Sequence, residues 1–153
     1  KPALFQGTIL ENMTMFRGDD HIDAAMLMAE RLGLHDAVGR MARGYDTVVE
    51  HAANDGLPGG VRQRIALVRA LTLVEDPKLI LFDEANTFLD QKSDALLHGV
   101  LREMKGSCAM AIVSHRPSFL ALADRSYRIE GRQVLGVKNT ARESFTQLEK
   151  EFG

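Results

Sequence analysis

A single cysteine, Cys108, occurs in 153 residues. That excludes an intrachain disulfide and suits a reducing compartment. Positive charge is not in excess either. The formal net charge is −2, without the basic footprint that drives nucleic-acid binding, so no nucleic-acid partner is expected. No apolar run approaches the roughly 20 residues needed to cross a bilayer, and no secretory signal peptide is visible. There is no internal repeat and no low-complexity segment. The chain opens on Lys1 rather than methionine, as expected of a piece of a longer protein. What remains is an ordinary soluble composition, 45% hydrophobic and 26% charged, of a length that suits one domain.

The first third reads as helical. Thr8 is placed to cap a short helix, ILENMTMF (residues 9–16). Asp20 is placed to cap a second, HIDAAMLMAERLGL (21–34), where Ile22, Met26 and Ala29 fall at helical spacing. Met13, Met15, Met26, Met28 and Met41 gather here and read as adaptable core filler. Residues 43–56 are loop-like, with GYD and NDG as turn signals. Then comes LPGGVRQRIALVRAL (57–71), a long helix opened by two glycines. Ile65, Val68 and Leu71 line one face, Arg62 and Arg69 another, and Pro77 lies beyond its end.

The pattern then changes. LILF (79–82) and AMAIVS (109–114) are short continuous apolar runs. Between them Ser93 is placed to cap a helix that buries Leu97, Val100, Leu101 and Met104. Strand, helix, strand with fully apolar strands predicts a parallel sheet covered on both faces. RSYRIE and RQVLGV, split by Gly131, read as a closing hairpin or two short strands, and TARESFTQLEKEF (140–152) as a terminal amphipathic helix.

Two places carry chemistry. Glycine-rich helix starts are anion sites, because free backbone N–H groups and the positive dipole end face the ligand. In open parallel sheets, ligands bind beyond the carboxyl ends of the strands, and there stand Asp83 and Glu84 after the first strand and His115 after the second. An acidic pair after an apolar strand can hold Mg²⁺ with its first member and polarise an attacking water with its second. Each piece alone is also what a solvated strand end or a tight turn looks like. Their order and spacing decide between the two.

LPGGVRQRIALVRAL, then LILFDEANTFLD, then IVSHR resembles the second half of an ABC-transporter nucleotide-binding domain. The three stretches are similar to the signature motif, to Walker B with its D-loop, and to the H-loop. PALFQGTILENM (2–13) is similar to the segment after the Q-loop in exporter-type members. The resemblance runs from residue 2 to about Gly136. It implies an α/β P-loop NTPase fragment, with a helical subdomain over 1–72 followed by the C-terminal half of a mainly parallel sheet core over 73–153. By it, Asp83 would serve Mg²⁺ and Glu84 would be the general base. His115 would contact the γ-phosphate and hold water and base in place. Asp90 would be the D-loop aspartate that addresses the opposite subunit. Gly59 and Gly60 would turn their N–H groups to the γ-phosphate of ATP held by a partner domain. The implied partners are a second nucleotide-binding domain, homo- or heterodimeric, and a transmembrane domain, at the cytoplasmic face of the membrane.

Two departures matter. No G-x-x-x-x-G-K-[ST] occurs, since none of Lys1, Lys78, Lys92, Lys105, Lys138 or Lys150 directly follows a glycine. The loop that binds most of the triphosphate is therefore absent, and this stretch alone is expected not to hydrolyse ATP. In the family's sheet the strand leading into that loop lies beside the H-loop strand, so residues 109–114 are expected to carry a free edge. Second, the usual signature serine is Pro58 and the usual glutamine after the glycines is Val61. Proline removes a hydroxyl and an N–H but is sterically acceptable at a helix start. Losing one hydrogen bond to a charged group costs about 1.5–3 kcal/mol, or roughly ten- to a hundredfold in affinity or rate. Two readings stay open at this point: an ATP-hydrolysing subunit of an exporter, or a degenerate nucleotide-binding or regulatory module with little turnover. A third, a soluble relative acting on DNA or ribosomes, is disfavoured by the exporter-like segment and the lack of basic patches.

Overall fold

The computed structural model describes residues 2–50, 56–73 and 76–138; the helix expected over 140–152 lies outside them. In chain order the elements are β1 (Gly7–Thr8), α1 (Ile9–Thr14), α2 (Ile22–Arg31), α3 (Leu34–Val38), β2 (Val48–Val49) and α4 (Gly59–Thr72). They continue with β3 (Leu79–Asp83), α5 (Gln91–Met104), β4 (Ala109–Val113), α6 (Pro117–Leu122), β5 (Ser126–Glu130) and β6 (Gln133–Val137). Single 3₁₀ turns occupy Asp19–His21 and Gly44–Asp46. Two compact units interleave along the chain: Lys1–Lys78 with Ala85–Cys108, and Leu79–Glu84 with Ala109–Gly153.

The first unit is helical. Thr8 does start α1, through a reciprocal cap in which the Glu11 N–H donates to Thr8 Oγ1 (3.1 Å) and the Thr8 N–H donates to Glu11 Oε2 (2.7 Å). The segment before it is clasped by Asn12, a fully buried side chain. Asn12 Nδ2 donates to the carbonyls of Phe5 and Thr8, both at 2.9 Å, and its Oδ1 accepts from the Phe5 N–H at 2.8 Å. The substitution Asn12→Ala takes their side-chain partner from the Phe5 N–H and carbonyl and is expected to lower stability by about 2–3 kcal/mol. Urea unfolding with an unchanged midpoint would show the clasp to be dispensable.

Asp20 does not cap the second helix. It lies within the 3₁₀ turn, and His21 precedes α2 without a side-chain cap. The buried stripe of α2 is Ala25 and Ala29, with Ile22 and Met26 only half-buried. Of the five clustered methionines only Met13 is fully buried, and Met15 is exposed at the left-handed turn that ends α1. α1 and α2 pack on α4, and α2 also meets α5. Ile65 and Val68 of α4 are fully buried. α4 is further tied by Arg64, whose Nη1 donates to the Gly33 carbonyl at 2.5 Å. β1 and β2 form a two-residue antiparallel ladder, Gly7 opposite Val49. Strands that short carry no readable periodicity.

The second unit holds the parallel pair. β3 and β4 align Leu79 with Ala109 through Asp83 with Val113, as the apolar runs predict. Coverage on both faces is not what the strands show. Ile80, Phe82, Met110 and Ile112 are buried or half-buried, whereas Leu79 (57%), Leu81 (73%) and Val113 (57%) lie exposed on the other face. Sequences written for two covered faces have one here. β5 and β6 form a hairpin whose two-residue turn, Gly131 and Arg132, has φ of 55° and 64°. Two left-handed residues in succession match the right-handed twist of the flanking strands.

Candidate functional site

The expected site residues fall into two constellations, one in each unit. In the second unit the parallel register carries the chemistry. β3 ends at Asp83, whose side chain is exposed at the carboxyl end of the strand. The next residue, Glu84, takes φ = 47° while its N–H still donates to the Val113 carbonyl at 2.9 Å. A non-glycine residue in that left-handed region costs about 1–2 kcal/mol, the kind of local strain that collects at functional positions. β4 ends one residue earlier in its own run, and His115 follows. Its Nδ1 stands 3.1 Å from Glu84 Oε2 and 3.3 Å from Oε1. A carboxylate oxygen accepts, so Nδ1 carries the proton in this contact, and Nε2 donates to a further oxygen only when the ring is protonated at both nitrogens. The imidazole is 73% exposed and the carboxylate 39%, so both remain open to a ligand from solvent. Ser114 Oγ accepts the Arg116 N–H at 3.2 Å, and Pro117 opens α6 at a position where its missing N–H costs nothing.

Among the described residues no group of three or more histidine, cysteine, aspartate or glutamate side chains could hold a metal ion. One carboxylate beside a phosphate ligand is nevertheless an ordinary donor set for Mg²⁺, which keeps several waters. Asp83, with its exposed carboxylate, fits that role.

In the first unit, Pro58 sits at the N-cap of α4 with no side-chain hydrogen bond, and its carbonyl accepts from the N–H groups of Val61 (3.0 Å) and Arg62 (3.1 Å). Gly59 and Gly60 occupy the first two helical positions, whose N–H groups have no intrahelical partner. Their lack of side chains has different causes. A Cβ on Gly59 would meet Phe88 Cδ1 at 3.4 Å, an ordinary contact, whereas one on Gly60 would meet the Phe88 carbonyl oxygen at 3.1 Å, a tight one. Asp90 lies in the same unit and caps α5: its Oδ1 accepts the Ser93 N–H at 2.7 Å. Ser93 is therefore the third helical residue and not the cap. Those bonds from Ser93, with Arg64 and Lys92 adding attraction, hold the Asp90 carboxyl below the usual aspartate range.

No protein-family model matches the chain. It is 35% identical over 137 residues to the alpha-hemolysin translocation ATP-binding protein HlyB of Escherichia coli, an alignment covering 87% of this chain and 18% of that protein. It is 35% identical over 144 residues to the ABC-type transporter fsqE of Aspergillus fumigatus, covering 88% of this chain and 11% of the relative. Its backbone superimposes on the structure of a bacterial Atm1-family ABC exporter with ATP bound at a TM-score of 0.78 and 26% identity, over 98% of this chain and 26% of the other. Over most of its length the chain is similar to part of the ATP-binding proteins of ABC exporters. It spans less than a fifth of the length of these curated relatives (11–18%). The fold is that of a P-loop NTPase fragment of the exporter type, helical elements with a small parallel sheet. No helix among the described residues is long and apolar enough to cross a membrane.

Three polar residues escape motif reading. Gln63 is buried and its Nε2 donates to the Ala85 carbonyl at 2.6 Å. Asn86 is buried too, its Nδ2 donating to Asp94 Oδ1 at 3.0 Å. For Gln63 a signal exists: it shares a helical stripe with Gly60 and Leu67, so an amide interrupts an otherwise apolar face. Asn86 and Asp94 carry no such signal.

Proposed function

We propose that the complete protein is an ATP-hydrolysing subunit of an ABC exporter, coupling ATP-driven closure of two nucleotide-binding domains to transport across a membrane. The observation that supports this most is the Glu84–His115 contact at adjacent parallel strand ends. Glu84 acts as general base. His115 orients that carboxylate through Nδ1 and, with both ring nitrogens protonated, donates from Nε2 to the γ-phosphate. Asp83 serves Mg²⁺, which supplies charge neutralisation at the phosphates. Gly59 and Gly60 present their N–H groups, behind Pro58, to ATP held by the opposing domain, and Asp90 lies on the loop that addresses that domain. In family terms residues 1–72 make the helical subdomain and 73–153 the C-terminal half of the core. The partners are a second nucleotide-binding domain and a membrane domain, which places this chain at the cytoplasmic face.

Pro58 favours a second reading, a site with weakened grip and little turnover, because no side-chain donor stands at the N-cap. One pair of substitutions separates the readings. Gly59→Ala meets no steric bar within the chain and lies at the first helical position, so the isolated chain keeps its stability to within about 0.5 kcal/mol. In the assembled transporter the same methyl stands where phosphate must approach the backbone, and ATP turnover falls about tenfold or more. Pro58→Ser returns a hydroxyl donor and raises turnover by roughly tenfold. Gly59→Ala with full turnover would remove the glycines from the nucleotide site. Pro58→Ser without effect would show that this loop does not limit the rate.

A further inference from the structure

We infer that Gln63 and Phe88 are positioning residues that lock the glycine-bearing start of α4 to the loop carrying Asp90, so that the two elements move as one body; the functional value of this lock rests on the nucleotide-facing role proposed for Gly59, Gly60 and Asp90. Within the loop from Ala85 to Asp90 a turn bond runs from the Leu89 N–H to the Asn86 carbonyl at 3.1 Å. The loop is also held from two sides. On one side Asn86 donates to Asp94 and Asp90 caps the helix, which fastens the loop to α5. On the other side the fastening is to α4. Gln63 donates its buried amide to the Ala85 carbonyl at 2.6 Å, and Phe88 lays its ring along Gly59 and its carbonyl against Gly60.

Phe88 is not a core residue. It remains 42% exposed, and its ring lies 3.4 Å from where a Cβ on Gly59 would stand. Gln63, by contrast, is enclosed, and an enclosed amide that lost its acceptor would be costly to retain. The acceptor can stay in reach only while α4 and the loop keep their spacing. A displacement of the Asp90 loop is therefore transmitted to the glycine N–H groups through one hydrogen bond and one ring contact, over a distance of a few residues. Arg64 adds a weaker tie of the same sense, its charge acting on Asp90 from α4.

The test is amide hydrogen exchange on the full chain for Phe88→Ala, Phe88→Leu and Gln63→Ala, read by segment. Phe88→Ala and Gln63→Ala each speed exchange at the bonded amides of residues 61–62 and 93–94 together, by about threefold to tenfold, while residues 22–31 of α2 keep their rate. Phe88→Leu, which keeps apolar bulk, restores most of the protection. In the assembled transporter Phe88→Ala lowers kcat severalfold with the KM for ATP nearly unchanged. Loosening on one side only, or an equal rise in α2, would overturn the lock. Joint loosening with an unaltered kcat would uphold the lock and instead remove these glycines from the nucleotide site. Should Phe88→Ala fail to fold, Gln63→Ala carries the same readout.

Discussion

Glu84→Gln in the assembled transporter is expected to reduce ATP turnover by about 10²–10⁴-fold while ATP still binds, because the substitution removes a proton acceptor and keeps the shape. The geometry makes the expectation specific. The amide can still accept from His115 Nδ1–H with its oxygen, so the contact now at 3.1 Å survives in the variant. His115→Ala does the converse: the base stays, but its carboxylate loses the partner that orients it. Turnover should again fall, by a smaller factor, since the base itself is intact. Single-turnover kinetics with bound ATP would separate the two. A Glu84→Gln variant that hydrolyses at the original rate would exclude Glu84 from the mechanism, whatever the strand ends look like.

The second large effect concerns association. β3 and β4 expose Leu79, Leu81 and Val113 on one face, and β4 pairs only with β3 among the described residues. An apolar face beside an unpaired strand edge is a template for another chain. The isolated chain is expected to self-associate through this face, with no measurable ATP turnover because the G-x-x-x-x-G-K-[ST] loop is absent from its sequence. Burying one leucine is worth about 1.5–3 kcal/mol, so Leu81→Glu should weaken association by about tenfold or more, with further loss on adding Leu79→Lys. Light scattering that gives the monomer mass for the unaltered chain at high concentration would refute this. So would a double variant that associates as strongly as before.

Sequence and structure agree where spacing is dictated by chemistry. Thr8, the start of α4 at Gly59, the apolar runs of β3 and β4 and the residues that follow them are all legible, because caps, glycine pairs and strand-end polar groups have few alternative uses. They part where two residues compete for one task. Asp90 and Ser93 are both good caps three residues apart, and only the backbone decides that Asp90 accepts and Ser93 donates. Asp20 loses its expected role because a 3₁₀ turn precedes α2. The five-residue α3 and the two-residue β1 and β2 are too short for periodicity to register. The exposed face of β3 and β4 is invisible for another reason. Composition reports what a strand is suited to, not what lies against it.

The backbone at Glu84 sets two demands against each other. At φ = 47°, glycine would sit without strain and asparagine with little, so a selection for heat resistance alone would drift toward either. Each such variant is expected to outlast the original on heating and to lack the base proposed at this position. A carboxylate retained at this angle costs stability, which the proposed role accounts for, and thermostable variants of this chain should be read at residue 84 before their activity is measured.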